Sequence, residues 1–148
     1  MTSYLLDTSI ISLAAPGRPT LTREVRQYLD PGSTSLFLST ITVVEMMQGI
    51  ETLRLRPRDA MRAGIMETWL EQTIEFFGER VLTFDVACAL EAGRLSARTK
   101  ASGRHPGFPD IAIAATAAAH GFTVLTANEK HFADLGVPYR NPIAAPDR

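Results

Sequence analysis

The chain opens with the stretch Tyr4-Leu5-Leu6-Asp7-Thr8-Ser9, in which a short apolar run stops at a carboxylate. A run this short cannot form an independent helix, and it predicts a buried strand. The Asp-Thr-Ser sequence that follows supplies the N-cap chemistry that starts a helix. A buried strand that leads directly into a helix is the repeating unit of α/β folds, so this stretch predicts the fold class.

The same alternation of strand and helix continues along the chain. Short apolar or β-branched runs predict strands at 36–41, 80–84 and 122–126, and 137–140 predicts a short edge strand confined by prolines. Apolar spacing and capping residues predict helices between the strands. The predicted helices cover 8–13, about 20–30, 42–53, 57–78, 85–102 and 109–120.

The predicted strands are apolar throughout, rather than alternating between apolar and polar residues. Such strands are typical of mostly parallel sheets that helices cover on both faces. The chain has no internal repeat, low-complexity tract or long linker. The sequence therefore predicts one α/β domain over residues 1–148, with four or five strands in a mostly parallel sheet.

The composition is that of an ordinary globular domain and excludes several other classes of protein. Of 148 residues, 45% are hydrophobic and 21% are charged, and the net charge is −1. This balance excludes a disordered chain and a protein that binds nucleic acid by bulk positive charge. The single cysteine, Cys88, excludes an internal disulfide and a Cys-rich zinc site. Because the sequence shows neither a membrane span nor a signal peptide, we expect a cytoplasmic protein.

Polar residues that can act in catalysis lie near the ends of the predicted strands. Asp7 ends the first strand, Glu45 is expected on the first turn of the helix after the second, and Asp110 starts the helix before the fourth. Asn128 follows the fourth strand. In an open parallel sheet, ligands bind beyond the carboxyl ends of the strands, where the strand order reverses. These four residues are therefore the candidate catalytic residues.

Each carboxylate also has a structural explanation. Asp7 is placed to cap a helix, Thr42 and Glu45 have the spacing of a capping box, and Asp110 suits the positive end of a helix dipole. Capping explains each position singly, but it does not explain why three carboxylates converge on one edge of the sheet. Like charges that lie close together raise each other's pKa or require a cation. Carboxylate oxygens suit Mg²⁺ or Mn²⁺, which keep waters available for chemistry on a phosphate.

Four blocks of sequence make the interpretation more specific. They are YLLDTS at 4–9, STITVVEMMQGI at 39–50, PDIAIAATA at 109–117 and VLTANEKHF at 124–132. In composition and in order, these blocks resemble PIN domains, specifically the VapC-like ribonuclease toxins of type II bacterial toxin–antitoxin pairs. The resemblance spans nearly the whole chain and implies a PIN-like three-layer α/β/α sandwich.

The resemblance implies a metal-dependent endoribonuclease, in which water activated by Mg²⁺, or by Mn²⁺, hydrolyses a phosphodiester bond. Its acidic cluster would be Asp7, Glu45 and Asp110, and the metal would be bound most directly by Asp7 and Asp110. Many members of the family carry a fourth carboxylate where this chain has Asn128. An asparagine side chain accepts a hydrogen bond through its carbonyl but adds no negative charge.

Three hydroxyl residues accompany the acidic cluster in the quoted blocks. Thr8, Ser9 and Thr126 are expected to orient the carboxylates or a water molecule by hydrogen bonding. The alternative is that these hydroxyls only cap helices and complete hydrogen bonds at strand ends. The sequence alone leaves both explanations open.

The resemblance also implies partners. It implies a cognate antitoxin protein, an RNA substrate of the tRNA or rRNA class, and a second copy of the chain in a homodimer. In VapC-like proteins the early helices form a groove for the antitoxin, and residues 54–69 are the basic and apolar segment that corresponds here.

A basic segment precedes Asp110. Arg94, Arg98 and Arg104 lie in a stretch without acidic residues, and arginine suits bidentate contacts with phosphate. The hypothesis is that this segment guides RNA phosphates towards the metal. The alternative is a solvated helix face with a loop, since charge runs often only promote solubility.

Two other classes of α/β protein need charged residues at positions where this chain lacks them. A response-regulator receiver domain needs paired acids after the first strand and a lysine at a late strand end, and a haloacid dehalogenase-type phosphatase needs a second acid two residues after Asp7. The chain has neither arrangement. Its three histidines lack zinc-ligand spacing, and we expect them at helix ends or on the surface. A non-catalytic PIN-like module that binds RNA or protein remains the alternative function.

Overall fold

Five parallel strands form the centre of the fold, in a computed structural model that describes residues 2–18 and 35–143. The strands lie in the order β3-β2-β1-β4-β5, and every neighbouring pair is parallel. Their bounds are Tyr4–Leu6 (β1), Leu36–Ser39 (β2), Val81–Leu82 (β3), Thr123–Leu125 (β4) and Tyr139–Arg140 (β5). The predicted mostly parallel sheet of four or five strands is therefore confirmed.

Helices connect these strands, as the apolar spacing predicts. In the described part of the chain they are α1 (Thr8–Ile11), α2 (Thr40–Arg54), α3 (Ala60–Phe77), α4 (Val86–Ala101), α5 (Phe108–His120) and α6 (Glu129–Phe132). Gly121 ends α5 with a left-handed backbone (φ 70°), which a glycine adopts without strain. The helix predicted over about 20–30 lies outside the described residues.

Helices cover both faces of the sheet, which makes the fold a three-layer α/β/α sandwich. Because successive strand residues point to opposite faces, Leu5 and Val124 belong to one core and Leu6 and Leu125 to the other. The first core contains side chains of α4 and α5, and the second contains side chains of α1, α2 and α3. The sandwich implied by the sequence is confirmed.

The strand order reverses between β1 and β4. The chain builds β1, β2 and β3 in one direction across the sheet and then returns to place β4 on the other side of β1. Leu6 of β1 lies in register with Leu125 of β4, and the backbone N–H of Asp7 donates to the carbonyl of Leu125 at 2.8 Å. Ligand sites of open α/β sheets lie in the crevice at such a reversal.

The boundary between β2 and α2 differs from the prediction. The strand ends at Ser39 rather than Ile41, and Ser39 caps the helix by accepting a hydrogen bond from the backbone N–H of Thr42 at 3.2 Å. The predicted capping box of Thr42 and Glu45 is therefore wrong. Glu45 lies on the second turn of α2 instead of its first turn, which frees its carboxylate for other contacts.

The helix α6 (Glu129–Phe132) was not predicted, and the remaining differences are small shifts of element ends. The strands β3, β4 and β5 are shorter than predicted, and α5 begins at Phe108. Within residues 2–18 and 35–143, none of the helices combines the length and the apolar character needed to cross a membrane.

Candidate active site

The three carboxylates singled out in the sequence line one open cavity at the reversal of strand order. We call it the acidic cavity; its volume is about 420 Å³. Asp7, Glu45, Asp110 and Asn128 all contribute to its wall, together with His131. The rest of the lining is Thr8, Ser9, Ser12, Gly107 and Pro109.

Asp7 occupies the centre of this arrangement, directly after β1. It is only 4% exposed, and although it stands at the N-cap of α1 its side chain does not cap the helix. Instead, its Oδ2 accepts hydrogen bonds from Ser9 Oγ at 2.8 Å and from Thr126 Oγ1 at 2.9 Å. Two hydroxyls from different segments thus fix the orientation of the carboxylate, and helix capping does not explain its position.

Glu45 reaches the cavity from the second turn of α2. Its Oε1 accepts a hydrogen bond from Thr8 Oγ1 at 2.6 Å. Burial raises the pKa of Glu45 above its ordinary value, and the charges of Asp7 and Asp110 raise it further, while the hydrogen bond from Thr8 opposes them. Burial is therefore the main cause of the raised pKa of Glu45, and the charges of the two aspartates add to it.

Asp110 reaches the cavity from the first turn of α5, and its Oδ2 lies 3.0 Å from Nδ1 of His131. Burial raises the pKa of Asp110, and the charge of Asp7 adds to this increase. His131 acts in the opposite direction, through both its charge and its hydrogen bond. An imidazole on the wall of the cavity thus partly offsets the repulsion between the carboxylates.

The loop after β4 forms the opposite wall. Thr126 is completely buried, and its Oγ1 accepts from the backbone N–H of Asn128 at 2.9 Å while it donates to Asp7. Ser9 Oγ accepts from the backbone N–H of Ala127 at 3.0 Å. Thr8, Ser9 and Thr126 therefore lie beside the carboxylates, where the sequence analysis expects them, and they join the segment after β1 to the segment after β4.

The donor set of the acidic cavity is one that divalent cations accept. Among residues 2–18 and 35–143, no three His, Cys, Asp or Glu side chains form a ready-made metal cage. Mg²⁺ does not need such a cage, because it commonly binds through one or two carboxylates and keeps several waters. Burial and the charge of Asp7 raise the pKa of Glu45 and of Asp110, and a nearby cation favours the charged form of both carboxylates, so the residues present fit Mg²⁺ or Mn²⁺.

The predicted RNA-binding arginines differ in their positions. Arg94 is exposed on α4 and forms an ion pair with Glu91, with 2.7 Å between Nη1 and Oε1. Arg98 is also exposed, and neither residue lines the acidic cavity. Arg104 lies nearer, in the loop before α5, and forms an ion pair with Asp134. Contact of these arginines with RNA stays a prediction.

His131 is the site residue that sequence reasoning missed. The expectation of a surface position is partly right, because its side chain is 53% exposed, but its ring contacts Asp110. Its spacing of three residues from Asn128 is the sequence feature that could have identified it. Residues three apart lie on the same side of a helix, and Asn128 stands at the N-cap of α6, so a side chain at 131 faces the same cavity.

The fold and the position of the acidic cavity define an α/β protein with a carboxylate-lined site at the strand reversal, and the comparisons with known proteins name the family. The PIN domain family matches residues 4–138. This chain belongs to the PIN domain family.

Named relatives match nearly the whole chain. It is 35% identical over 139 residues to plasmid stability protein StbB of Pseudomonas syringae pv. tomato and 36% identical over 148 residues to VapC ribonuclease Y4jK of Sinorhizobium fredii. It is 33% identical over 140 residues to toxin FitB of Neisseria gonorrhoeae. Each match covers 93% of this chain and 96% of the relative.

Solved structures give the same result. The crystal structure of FitAcB from Neisseria gonorrhoeae contains a chain that is 33% identical, with a TM-score of 0.77, and the match covers 94% of this chain and 97% of that one. In DNA-bound VapBC from Salmonella typhimurium, a chain of 22% identity has a TM-score of 0.75, with 96% and 99% covered. At that identity the second likeness supports the fold alone.

Proposed function

We propose that this chain is a metal-dependent endoribonuclease that hydrolyses RNA phosphodiester bonds and acts as the toxin of a toxin–antitoxin pair. The observation that carries the proposal is the convergence of Asp7, Glu45 and Asp110 on one cavity at the strand reversal. The relatives named as a VapC ribonuclease and as toxin FitB, each at least 33% identical, support the nuclease and toxin assignments.

The electrostatics of the site support a cation as part of the chemistry. A phosphodiester is an anion, and a cavity lined by three carboxylates repels it. A divalent cation between the carboxylates and the phosphate removes this repulsion. When bound, Mg²⁺ or Mn²⁺ would neutralise charge on the phosphate oxygens and lower the pKa of the water that attacks the phosphorus. In this proposal Asp7 and Asp110 hold the cation most directly, and Glu45 completes the acidic cluster.

The chain's own residues then position the reacting groups. Ser9 and Thr126 restrain Asp7 through two hydrogen bonds to the same oxygen, so the carboxylate does not reorient when RNA binds. Thr8 restrains Glu45 in the same way. The Asn128 amide offers a neutral hydrogen-bonding group at the mouth of the cavity, which can contact a water or a phosphate oxygen without adding repulsion.

The proposed partners are a cognate antitoxin, a second copy of the chain and an RNA of the tRNA or rRNA class, and the proposed location is the cytoplasm. The hairpin of α2 and α3 supports an antitoxin site, because it exposes the large apolar residues Leu55, Met61 and Ile65. A further cavity of about 200 Å³ lies at the base of this hairpin and includes Met46 and Met66.

A cleavage assay tests the proposed activity. The purified chain, freed of any co-purifying protein, is incubated with structured RNA in Mg²⁺, Mn²⁺ or EDTA. We expect cleavage in either metal and none in EDTA. Asp7→Asn and Asp110→Asn should each lower the rate by about 10²-fold or more, because each removes a metal ligand.

Asp59→Asn is the matched control, since it makes the same chemical change at the start of α3, outside the acidic cavity. Its rate should stay within twofold of the parent chain. Equal cleavage by the parent and by both site variants would contradict the proposal. A parent chain that binds RNA but never cuts it would favour the non-catalytic PIN-like module.

A further inference from the structure

A second cavity adjoins the acidic cavity. It measures about 410 Å³ and lies between the loop that precedes α5 and the turn that follows α6. The two cavities share Gly107, Asp110 and His131, so the Asp110–His131 pair forms part of the wall of both. A ligand that occupies the second cavity is therefore next to the carboxylates.

The second cavity differs from the acidic cavity in charge. Arg104, His105 and Lys130 line it together with the carboxylates of Asp110 and Asp134, whereas none of the three basic residues lines the acidic cavity. Within the described ranges, the ammonium group of Lys130 has no hydrogen-bond or ion-pair partner, so it is available to a ligand. Arg104 already contacts Asp134 through Nη1, but a guanidinium has five N–H donors, and the others remain for a ligand anion.

The walls of this cavity are held in place by contacts between the loop and the turn. The backbone N–H of Arg104 donates to the carbonyl of Thr99 at 2.9 Å, which anchors the loop to the last turn of α4. The ion pair of Arg104 with Asp134 then joins the loop to the residues after α6. The cavity is therefore bounded by two segments that are linked to each other.

One wall of the cavity is apolar. Leu135 is only 4% exposed and packs in the core, and Pro106 also contributes to the lining. Cavities of a few hundred Å³ that combine apolar walls with a few charged groups bind small organic molecules. The cations suit a phosphate, and the apolar wall suits the flat face of a base or the carbon atoms of a ribose. A single nucleotide carries both a phosphate for the cations and a base and ribose for the apolar wall.

We propose that the second cavity is a subsite for one unpaired nucleotide of the RNA, next to the bond that is cut in the acidic cavity. Lys130 and Arg104 contact its phosphate, and Pro106 and Leu135 contact its base or ribose. The inference rests on the proposed function, because it takes the neighbouring cavity as the place of cleavage. A duplex cannot insert a single nucleotide without unpairing it, so the subsite selects single-stranded segments.

The chain contains only two lysines, which provides a matched pair of variants. Lys130 lines the second cavity, and Lys100 lies exposed on α4 outside it. The assay is fluorescence anisotropy of a labelled single-stranded pentaribonucleotide in EDTA, over a series of salt concentrations. Without metal the proposed cleavage does not occur, so binding is measured separately from activity.

We expect Lys130→Gln to weaken binding roughly tenfold and to reduce the slope of log K against log salt by about 0.7, the value of one phosphate contact in a single strand. Lys100→Gln should stay within twofold of the parent chain. A stable hairpin that carries the same sequence in its paired stem should bind more weakly than the single strand.

A second variant tests the subsite by an effect of opposite sign. Asp134→Asn removes a negative charge from the lining of the cavity but keeps an oxygen that accepts from Arg104, so the loop and the turn stay linked. It should tighten binding of the phosphate about threefold. Glu75→Gln, an equal change of charge on the exposed side of α3, should not tighten it. A disturbed fold cannot explain tighter binding, so this arm separates contact with RNA from a structural effect.

The proposal is overturned if Lys130→Gln and Lys100→Gln weaken binding equally, if Asp134→Asn weakens it, or if the hairpin binds as tightly as the single strand. These results are independent of cleavage. If the expected binding pattern appears but no RNA is cut in Mg²⁺, the second cavity binds a nucleotide, and only its place next to a cleaved bond fails together with the nuclease proposal.

Discussion

Thr126→Val is the most informative single substitution for the structure of the site. The hydroxyl of Thr126 is completely buried; it donates to Asp7 Oδ2 at 2.9 Å and accepts from the backbone N–H of Asn128 at 2.9 Å. Valine has nearly the same shape as threonine but has neither a donor nor an acceptor. The substitution therefore removes two hydrogen bonds and leaves the volume of the core unchanged.

The expected cost follows from these two contacts. A hydrogen bond to a charged group contributes about 1.5–3 kcal/mol. The N–H of Asn128 belongs to an exposed residue, so the loss of its acceptor costs little because water can replace it. Ser9 still donates to Asp7 after the change, which limits the loss. We therefore expect Thr126→Val to lower the free energy of unfolding by about 1.5–3 kcal/mol.

Thr116 supplies the control. It is equally buried, but its hydroxyl contacts no charged group and donates to the backbone carbonyl of Ala112 at 2.7 Å, within the same helix. That carbonyl is in the middle of α5, where the helical ladder also uses it. Thr116→Val should therefore cost less than about 1 kcal/mol.

The assay is urea unfolding followed by circular dichroism, in EDTA, on the two valine variants and on the Asp7→Asn and Asp7→Asn/Thr126→Val chains. We expect a coupling energy of about 1–2 kcal/mol between Asp7 and Thr126, because residues that share a hydrogen bond do not act additively. Equal losses at Thr126 and Thr116, or a coupling near zero, would refute the reasoning.

Three further outcomes are expected. Mg²⁺ at ten times its dissociation constant should raise the free energy of unfolding by about 1.4 kcal/mol, as measured by thermal melts. The increase should be absent in EDTA and in the Asp7→Asn variant. The backbone N–H of Cys88 lowers the pKa of Asp85, so this cap stabilises the fold above the unfolded pKa near 4, and the stabilisation is lost as pH falls through the lowered folded pKa. Asp85→Ala should therefore lower Tm at pH 7, and the difference in Tm should shrink in acid. Asp59→Ala should show no such pH dependence, because the side chain of Asp59 does not cap its helix. Ile113→Ala, in the core of α5, should cost about 2–5 kcal/mol in urea unfolding, against less than about 1 kcal/mol for Ile65→Ala on the exposed face of α3.

Sequence patterns identified the fold because this fold depends on local signals. Short apolar runs such as Tyr4–Leu6 and Thr123–Leu125, each followed or preceded by a helix, are enough to predict a parallel sheet. The first and last residues of the helices and strands were harder to predict. Ile41 is a good strand former, but the hydroxyl of Ser39 captures the N–H of Thr42 and starts α2 two residues earlier.

The carboxylates of the site could be predicted for a different reason. Residues that follow the ends of parallel strands meet at one edge of the sheet, so Asp7 and Asn128 had to be neighbours once the topology was known. The contact of His131 with Asp110 depends on how α6 packs against α5. Packing of this kind is not encoded in a local pattern. The spacing from Asn128 places His131 on the cavity side of α6, but it does not show that the ring reaches Asp110.

The hydrogen bond between Thr126 and Asp7 joins residues 119 positions apart, and the bond from Ala127 to Ser9 spans 118. During synthesis the amino-terminal segment leaves the ribosome first, at about 5–20 residues per second. Several seconds therefore separate the synthesis of Asp7 from that of Thr126, which orients it. A nascent or prematurely terminated polypeptide that stops before Asn128 lacks one wall of the acidic cavity, so translation itself delays the completion of the site until most of the chain exists.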